Sequence, residues 1–302
     1  MRDERHSEAY FGESRDFWWD PDFLALMARR WGLAEARQVL DVGCGVGHWS
    51  RTLAPFLPPD ASIVGIDREP DWVEEATRRS ASLDGSRAVR FLQGIAERLP
   101  FPDASFDLVT CQTVLIHVSD PAAVIREMVR VLRPEGRIAV AEPNNAIQSV
   151  VRSSESAGAS IDRRMELVRF QLVCEAGKVA LGEGDNSVGD LVPGLFARAG
   201  LVDLSVYLND RARPLLPPYE SRAERAAISE IERFAEREFW IWSRADTARY
   251  FAAGGGTEAE FESLWAKAIE ARRAEVAAIR EQRLAAGGAG IVYLVSGRKP
   301  TS

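Results

Sequence analysis

Cysteine and histidine are both scarce in this sequence, with three of each among 302 residues. The cysteines, Cys44, Cys111 and Cys174, are widely separated, and no pair of them has the spacing of a metal site. An odd, scattered set of cysteines is typical of reduced thiols in a cytoplasmic protein. We therefore expect a cytoplasmic location and no metal ion.

The sequence also lacks long apolar runs and an excess of basic residues. No run reaches the roughly 18 apolar residues that a membrane span requires, and the first residues, Met-Arg-Asp-Glu-Arg-His, do not form an apolar signal segment. Lysine and arginine number 38 against 45 aspartate and glutamate residues, which gives a formal net charge of −7. We expect neither a membrane nor a nucleic acid as a partner.

What the chain does contain is an alternation of short apolar strands with helices over residues 39–142. Such alternation is typical of a parallel sheet with helical crossovers. The length of 302 residues is enough for one large domain or for a core with an added subdomain. The hydrophobic content of 46% is typical of a globular protein and argues against disorder. The predicted strands are 39–42, 62–66, 89–92, 106–111, 137–141, 201–208 and 290–296.

A glycine-rich turn follows the first predicted strand. Gly43, Gly45 and Gly47 alternate with other residues before a predicted helix at 48–53. Glycine permits positive φ and the close approach of a ligand, and a helix start offers N–H groups without helical partners. A strand, a glycine turn and a helix start together form a nucleotide-type cofactor site. The dinucleotide fingerprint is not matched, because His48 stands where it requires glycine or alanine.

The stretch Leu-Asp-Val-Gly-Cys-Gly-Val-Gly at 40–47 resembles the first motif of the class I S-adenosylmethionine-dependent methyltransferases. The resemblance implies a Rossmann-like, doubly wound, mostly parallel seven-stranded α/β sheet with an antiparallel edge hairpin and helical cap insertions. It implies S-adenosyl-L-methionine as cofactor and S-adenosyl-L-homocysteine as product. The alternative is an ordinary glycine-rich turn of an α/β protein. The residues that the resemblance assigns to this part of the cofactor site are Asp41, Gly43, Cys44, Gly45 and Gly47.

Asp67 follows the second predicted strand. In the family an acidic residue at this place accepts hydrogen bonds from the two ribose hydroxyls, so the resemblance assigns Asp67 and the adjoining Arg68 to the cofactor. One carboxylate can accept from two neighbouring donors, which suits that role. The alternative role for Asp67 is to cap the following helix.

Residues 93–108 are similar to the family segment Gly-Asp-Ala-Glu-x-Leu-Pro-Phe-x-Asp-x-Ser-Phe-Asp. The first aspartate of that segment receives the adenine amino group in the family. Its position is occupied by Ile95, which has no side-chain acceptor. The resemblance therefore implies that adenine is held by apolar contact with Ile95, by the backbone of Ala96 or by the carboxylate of Glu97.

Residues 109–121 resemble the family stretch that follows the fourth strand and ends in Leu-x-His-Val-x-Asp-Pro. This resemblance places Cys111 and Gln112 beside the methionine part of the cofactor, through their backbone carbonyls. His117 is then either a base or an orienting group near the methyl acceptor, or a residue whose hydrogen bond fixes the loop.

The predicted strand 137–141 ends in polar residues. The carboxyl edges of parallel strands line the ligand crevice, so Glu142 is a candidate catalytic residue. Asn144 and Asn145 are candidates for substrate contact on the same ground, and turn formation is the alternative for them.

Residues 1–36 are predicted to form an N-terminal helical segment over the active site, with a helix that ends at Gly32. The cofactor-binding core is predicted to span 37–145. Aromatic residues of the N-terminal segment contribute either to substrate contact or to core packing. The candidates for contact are Tyr10, Trp18 and Trp19.

Two insertions interrupt the minimal fold. Residues 146–186 are a predicted lid, with glycines at 177, 182, 184 and 189 at its exit, and residues 212–288 are a predicted helical cap. The remainder of the core sheet is assigned to 187–211 and 289–302. A homodimer through the 212–288 insertion is a further hypothesis. The apolar residues that predict an amphipathic helix in the lid are Ile161, Met165, Val168 and Leu172.

Methyl transfer from a sulfonium is an in-line displacement, for which a protein positions the acceptor and excludes water. The resemblance therefore implies a methyltransferase that acts on an oxygen, nitrogen or carbon atom of a small molecule. Two alternatives stay open. One is a nicotinamide-dependent oxidoreductase on a similar sheet, and the other is a protein that binds S-adenosylmethionine without catalysis.

Overall fold

The structure, a computed structural model, describes residues 13–81 and 88–301, and this part of the chain forms two units. The first, which we call the sheet unit, lies within Asp20–Pro143, Val188–Asn209 and Val292–Ser302. The second, the helical unit, takes in the described residues of Met1–Trp19 together with Asn144–Ser187 and Asp210–Ile291.

Seven strands form one sheet within the described residues. Across the sheet they follow the order β3-β2-β1-β4-β5-β7-β6, with bounds β1 (Gln38–Val42), β2 (Ser62–Asp67), β3 (Val89–Gln93), β4 (Phe106–Gln112), β5 (Leu132–Asn144), β6 (Val202–Leu208) and β7 (Ile291–Arg298). The pairs β1–β2, β1–β4, β2–β3 and β4–β5 are parallel, whereas β6 and β7 are antiparallel. The predicted fold class, including its antiparallel edge hairpin, is confirmed.

Nine α-helices lie in the described parts of the chain. They are α1 (Pro21–Trp31), α2 (His48–Leu53), α3 (Pro70–Ser80), α4 (Pro121–Val131), α5 (Ile161–Ala180), α6 (Val192–Arg198), α7 (Arg222–Glu236), α8 (Arg244–Ala253) and α9 (Glu258–Arg280). Helices α1, α3 and α4 begin at a proline, whose missing N–H has no helical partner at that position in any case. Helix α1 ends at Gly32 with φ of 67°, as predicted.

The core of the sheet unit follows from strands that are apolar on both faces. Leu40 of β1, Val109 of β4 and Ile138 of β5 are all fully buried, as expected for parallel strands covered by helices on both sides. Helix α4 contributes Ile125 and Met128 to the same core. The strand order reverses between β1 and β4, and in open parallel sheets the ligand crevice lies at such a reversal.

The helical unit has an aromatic core of its own. Phe170 of α5 is fully buried and stacks on Trp240, with ring centroids 4.6 Å apart. Phe251 of α8 meets Phe170 edge-on at 5.2 Å. Helices α7 and α9 each start with a capping box, in which Ser221 or Thr257 exchanges hydrogen bonds with a glutamate.

Helix α5 differs from its prediction in the face that it buries. Ile161 and Met165, which predicted the helix, are 74% and 56% exposed, whereas the packed face carries Phe170, Cys174 and Gly177. Gly177 therefore lies inside the helix rather than at the exit of the lid.

Helices α5 and α8 cross with their backbones in close approach. A Cβ built on Gly177 would lie 1.7 Å from the carbonyl oxygen of Tyr250. Conversely, a Cβ on Gly254, which ends α8, would lie 2.0 Å from the carbonyl oxygen of Val173. The crossing therefore requires glycine within α5 and at the C-cap of α8.

Within residues 13–81 and 88–301, no helix combines the length and the apolar character that crossing a bilayer needs. The same residues hold no group of three or more histidine, cysteine, aspartate or glutamate side chains that could hold a metal ion. Cys44, Cys111 and Cys174 are buried free thiols.

Candidate functional site

The glycine loop between β1 and α2 is held in a conformation that most residues avoid. Gly43, Gly45 and Gly47 have φ of 64°, 50° and 74°, values at which a side chain is strained. The N–H of Gly47 donates to the carbonyl of Cys44 at 2.8 Å, which closes the turn. The loop therefore presents backbone without side chains at alternate positions.

Asp67, the last residue of β2, fastens this loop to the sheet. Its Oδ2 accepts a hydrogen bond from the N–H of Gly45 at 2.8 Å, and its Oδ1 accepts one from the N–H of Glu69 at 3.0 Å. The second contact closes a local turn before α3, whose N-cap is Glu69 without a side-chain cap bond, so Asp67 does not cap that helix. The first contact joins two parts of the predicted site. Each carboxylate oxygen keeps a further lone pair for a ligand hydroxyl.

Asp41 lies beneath the loop and anchors α2. It is almost fully buried, and its Oδ2 accepts from the hydroxyl of Ser50 at 2.6 Å. Trp49 of α2 donates its indole N–H to the hydroxyl of Thr110 on the neighbouring strand β4 at 2.8 Å. These two bonds fix the helix that follows the glycine loop.

The segment after β3 lies next to Asp67. The N–H of Gly94 donates to the carbonyl of Asp67 at 2.9 Å. Ile95 is half exposed, Ala96 packs on the core and Glu97 is exposed. Ile95 thus offers an apolar surface near the candidate ribose site, while the specific adenine contacts stay a prediction.

Arg68 and Cys44 are the two other residues near β2 and the glycine loop that the resemblance assigned to the cofactor. The Arg68 side chain is exposed near Glu69, with Nε and Oε1 3.3 Å apart, and its carbonyl accepts from Gln93 at 3.1 Å. Cys44 is buried, and its N–H donates to the carbonyl of Ile66 at 3.0 Å. Their assignment to the cofactor stays a prediction.

Glu142 and Cys111 form a buried pair at the ends of β5 and β4. Glu142 has no exposed surface, and its Oε1 accepts from the N–H groups of Val114 at 2.8 Å and Leu115 at 3.0 Å. The Cys111 thiol donates to the same oxygen at 3.5 Å. Burial, followed by the Glu142 charge, holds the pKa of that thiol well above its usual range. The catalytic role of Glu142 stays a prediction.

Gln112 ends β4 with a side chain that the sequence assigned only through its backbone. It is 4% exposed, and neither its Nε2 nor its Oε1 has a hydrogen-bond partner among the described residues. A buried carboxamide without partners is costly unless a ligand satisfies it. The unpartnered carboxamide therefore indicates that a polar ligand group binds at the end of β4.

His117 closes the short turn Leu115–His117 between β4 and α4. It is half buried, and its N–H donates to the carbonyl of Val114 at 2.9 Å. This contact fixes the backbone of the turn, as the structural alternative required. A role as base or orienting group stays a prediction.

The remaining candidates for substrate contact belong to the helical unit. Asn145 donates its side-chain amide to the carbonyl of Asn186 at 2.8 Å, and the Asn144 Oδ1 accepts from the N–H of Ala146 at 3.1 Å. The Trp18 ring lies 5.3 Å from the Arg15 guanidinium, and Trp19 is buried. Tyr10 lies outside the described residues. The role of these residues in substrate contact stays a prediction. The predicted domain boundaries, with their lid and cap, and the homodimer also stay predictions.

Two residues of the site escaped sequence reasoning. Thr113 has φ of 54°, which is rare for a β-branched residue, and the Val114 side chain fills the space beside Gly43. Neither feature has a local sequence signal, because threonine and valine both favour extended backbone.

Replacing Gly43 by alanine is expected to weaken S-adenosylmethionine binding about tenfold, because the new Cβ would lie 2.5 Å from Cγ2 of Val114 and displace the loop. Gly32→Ala is the matched control, since it has a similar φ of +67° and no atom within 4 Å of the new Cβ. The double variant Gly43→Ala/Val114→Ala should recover most of the affinity. Calorimetric titration measures all three, and equal losses in Gly43→Ala and Gly32→Ala would contradict the steric explanation.

Burial raises the pKa of Glu142 to about 7, against its hydrogen bonds from Leu115 and Val114. The folded chain holds the proton of this carboxyl more tightly than the unfolded chain does. The protein therefore loses stability as pH rises from the pKa of the unfolded state towards the pKa of the folded state. Between pH 5 and pH 7 this group should lower the free energy of unfolding by about 2 kcal/mol. The loss should vanish in Glu142→Gln, which mimics the neutral acid. Urea unfolding of both proteins at each pH measures the difference, and parallel pH curves would contradict it.

Comparison with known proteins identifies the family of this chain. A family model described as a methyltransferase domain matches residues 33–185, just over half of the chain. The chain is 38% identical over 130 residues to the uncharacterized methyltransferase YcgJ of Bacillus subtilis, covering 43% of the chain and 47% of that protein. It is 37% identical over 116 residues to the sterol 24-C-methyltransferase erg6 of Aspergillus fumigatus, covering 38% and 30%.

The matched region thus covers less than half the length of each of these curated relatives. The crystal structure of the Bacillus subtilis YcgJ protein superposes with a TM-score of 0.50 at 19% identity, covering 94% of this chain and all of the other. At that identity the likeness shows the fold alone. Together with the matched family model, it establishes that the chain belongs to the class I S-adenosylmethionine-dependent methyltransferase family.

Proposed function

We propose that this protein transfers the methyl group of S-adenosylmethionine to a small-molecule acceptor. The observation that carries the proposal is the bond between the Asp67 carboxylate and the N–H of Gly45, 2.8 Å long. It joins the acidic end of β2 to the glycine loop after β1. Both lie at the carboxyl edge of the sheet, where β1 and β4 mark the reversal of strand order.

The residues present fit the cofactor of the family. S-adenosylmethionine carries a ribose diol, for which Asp67 keeps free lone pairs, and an amino-acid end with a donor and acceptors. The Gln112 carboxamide can accept from an ammonium and donate to a carboxylate, and it has no protein partner among the described residues. The glycine loop leaves its backbone open to close approach.

When bound, the cofactor supplies an activated methyl group, so the protein needs no strong catalyst of its own. The tasks that we assign to this chain are positioning and the exclusion of water. Asp67 and the glycine loop hold the nucleoside, and Gln112 orients the amino-acid end. We assign to His117 the removal of a proton from a hydroxyl or ammonium acceptor, because a neutral imidazole carries a nitrogen lone pair that can accept a proton.

The acceptor class rests on charge and on the relatives. The net charge of −7 does not favour a nucleic acid. One relative of the cofactor-binding region is named as a sterol 24-C-methyltransferase, which favours a small organic acceptor for this chain as well. Oxygen, nitrogen and carbon acceptors are all compatible with the site, since Asp67, the glycine loop and Gln112 act on the cofactor and not on the acceptor.

The proposal is tested in two steps with the full chain. Calorimetric titration should show micromolar binding of S-adenosylmethionine and S-adenosylhomocysteine and no binding of NADH, which serves as control. Release of S-adenosylhomocysteine is then measured with pools of small hydroxyl, amine and activated-carbon compounds. Binding of NADH in place of the sulfur cofactors would favour an oxidoreductase. Cofactor binding without turnover on any pool would favour a non-catalytic binding protein.

A further inference from the structure

Glu142 accepts hydrogen bonds from the end of strand β4 and from the residues that follow it. One carboxyl oxygen, Oε1, accepts from the N–H groups of Val114 and Leu115 and from the thiol of Cys111. The residue is fully buried at the end of the neighbouring strand β5. Its other oxygen, Oε2, has no hydrogen-bond partner among the described residues. The Glu142 side chain thus holds the turn 113–115 against the end of β5.

That turn contains a residue in an unfavourable conformation. Thr113 has φ of 54° and is buried, and a β-branched residue rarely adopts such an angle without support from its surroundings. Its N–H donates to the carbonyl of Ala141 at 2.9 Å, and its hydroxyl donates to the carbonyl of Gln112 at 2.7 Å. The two N–H groups that donate to Glu142 belong to the next two residues, Val114 and Leu115. Glu142 therefore holds the chain directly after the strained Thr113.

The turn also fixes three parts of the candidate site. Gln112 precedes it, with a buried carboxamide that lacks a protein partner among the described residues. Val114 packs so closely on Gly43 that a Cβ there would come within 2.5 Å of Cγ2. His117 donates its N–H to the carbonyl of Val114 at 2.9 Å. A shift of the turn would therefore move a polar side chain, the glycine loop and the histidine together.

We propose that Glu142 is a positioning residue for cofactor binding, whose carboxyl group holds the strained turn 113–115 and thereby sets Gln112 against the glycine loop. The inference rests on the proposed function, because it takes S-adenosylmethionine as the ligand of Gln112 and the loop. It assigns Glu142 no proton transfer and no contact with substrate. Glu135 of the same strand is exposed and pairs with Arg298 instead.

The test compares three variants of the full chain by calorimetric titration with S-adenosylmethionine. Glu142→Ala removes the acceptor and should raise Kd about 30-fold. Glu142→Gln keeps an acceptor oxygen and should stay within about threefold of the wild type. Glu142→Ala/Thr113→Gly should recover at least about tenfold of the loss, because glycine adopts the positive φ without strain. Glu135→Ala, on the same strand, is the matched control and should leave Kd unchanged.

A merely structural role would move stability without this pattern of rescue. The proposal is overturned if Glu142→Gln is as weak as Glu142→Ala, or if glycine at 113 restores nothing. Should Glu142→Ala fail to fold, Glu142→Asp is used with amide hydrogen exchange. The shorter side chain should expose the Val114 and Leu115 amides to exchange and weaken binding about tenfold, and native affinity with exposed amides would overturn the proposal. A wild-type protein that binds no S-adenosylmethionine would instead refute the proposed function.

Discussion

Asp67→Ala is expected to weaken S-adenosylmethionine binding about 300-fold, or about 3.4 kcal/mol, while the chain stays folded. Two losses combine in this variant. Charge-assisted hydrogen bonds from ligand hydroxyls to a carboxylate are worth about 1.5–3 kcal/mol each. In addition, the N–H of Gly45 loses the acceptor that lies 2.8 Å away and holds the glycine loop.

Calorimetric titration and thermal unfolding together check this prediction. Asp60→Ala is the matched control in the sheet unit, because Asp60 is an exposed aspartate whose contact is an ion pair with Arg37. Asp67→Asn should lie between the wild type and Asp67→Ala, since it keeps one acceptor but turns an amide donor towards donors. A folded Asp67→Ala protein that binds S-adenosylmethionine within about threefold of the wild type would remove Asp67 from the site.

Asp67 and the glycine loop could be predicted because each follows a strand directly. Parallel strands bring their carboxyl ends to one edge, so a sequence that shows where β1 and β2 end also shows which residues meet there. In the structure, β1 and β2 pair with Asp41 opposite Gly65 and Val42 opposite Ile66, so both strands end at the same edge of the sheet. The same logic placed Glu142 at the end of β5, whereas Gln112 at the end of β4 was assigned through the family resemblance.

What the sequence could not give is the way in which those ends are bonded. Glu142 follows a strand edge like a ligand-facing residue, yet it is buried and bonds to N–H groups 27 and 28 residues away. The positive φ of Thr113 contradicts the backbone preference of threonine, so no local pattern could reveal it. Strain and long-range acceptors depend on packing that only the folded chain contains.

Helix α5 shows the same limit in another form. Its apolar periodicity predicted a helix correctly but indicated the wrong face, because Ile161, Met165 and Leu172 lie on the exposed side. Apolar residues occur on both sides of this helix, so periodicity alone could not choose between them. The choice is made by the small residues of the other face, where Gly177 admits the backbone of α8.

Gly177→Ala is therefore expected to destabilise the chain by about 4 kcal/mol or more, which is large for the addition of one methyl group. The new Cβ would lie 1.7 Å from the carbonyl oxygen of Tyr250 and 2.7 Å from the backbone nitrogen of Gly254. Backbone atoms cannot turn aside as a side chain can, so α5 and α8 must separate. That separation would loosen the aromatic core around the fully buried Phe170, which includes Tyr250 and Phe251 of α8.

Thermal unfolding by circular dichroism measures the effect, and a fall in Tm of roughly 8–16 °C is expected for a chain of this size. Gly158→Ala is the matched control in the helical unit, because nothing lies within 4 Å of a Cβ at that position. Alanine favours a helix over glycine, so propensity alone predicts that Gly177→Ala stabilises α5. An unchanged or raised Tm would mean that propensity outweighs packing, and that the two helices do not meet at Gly177.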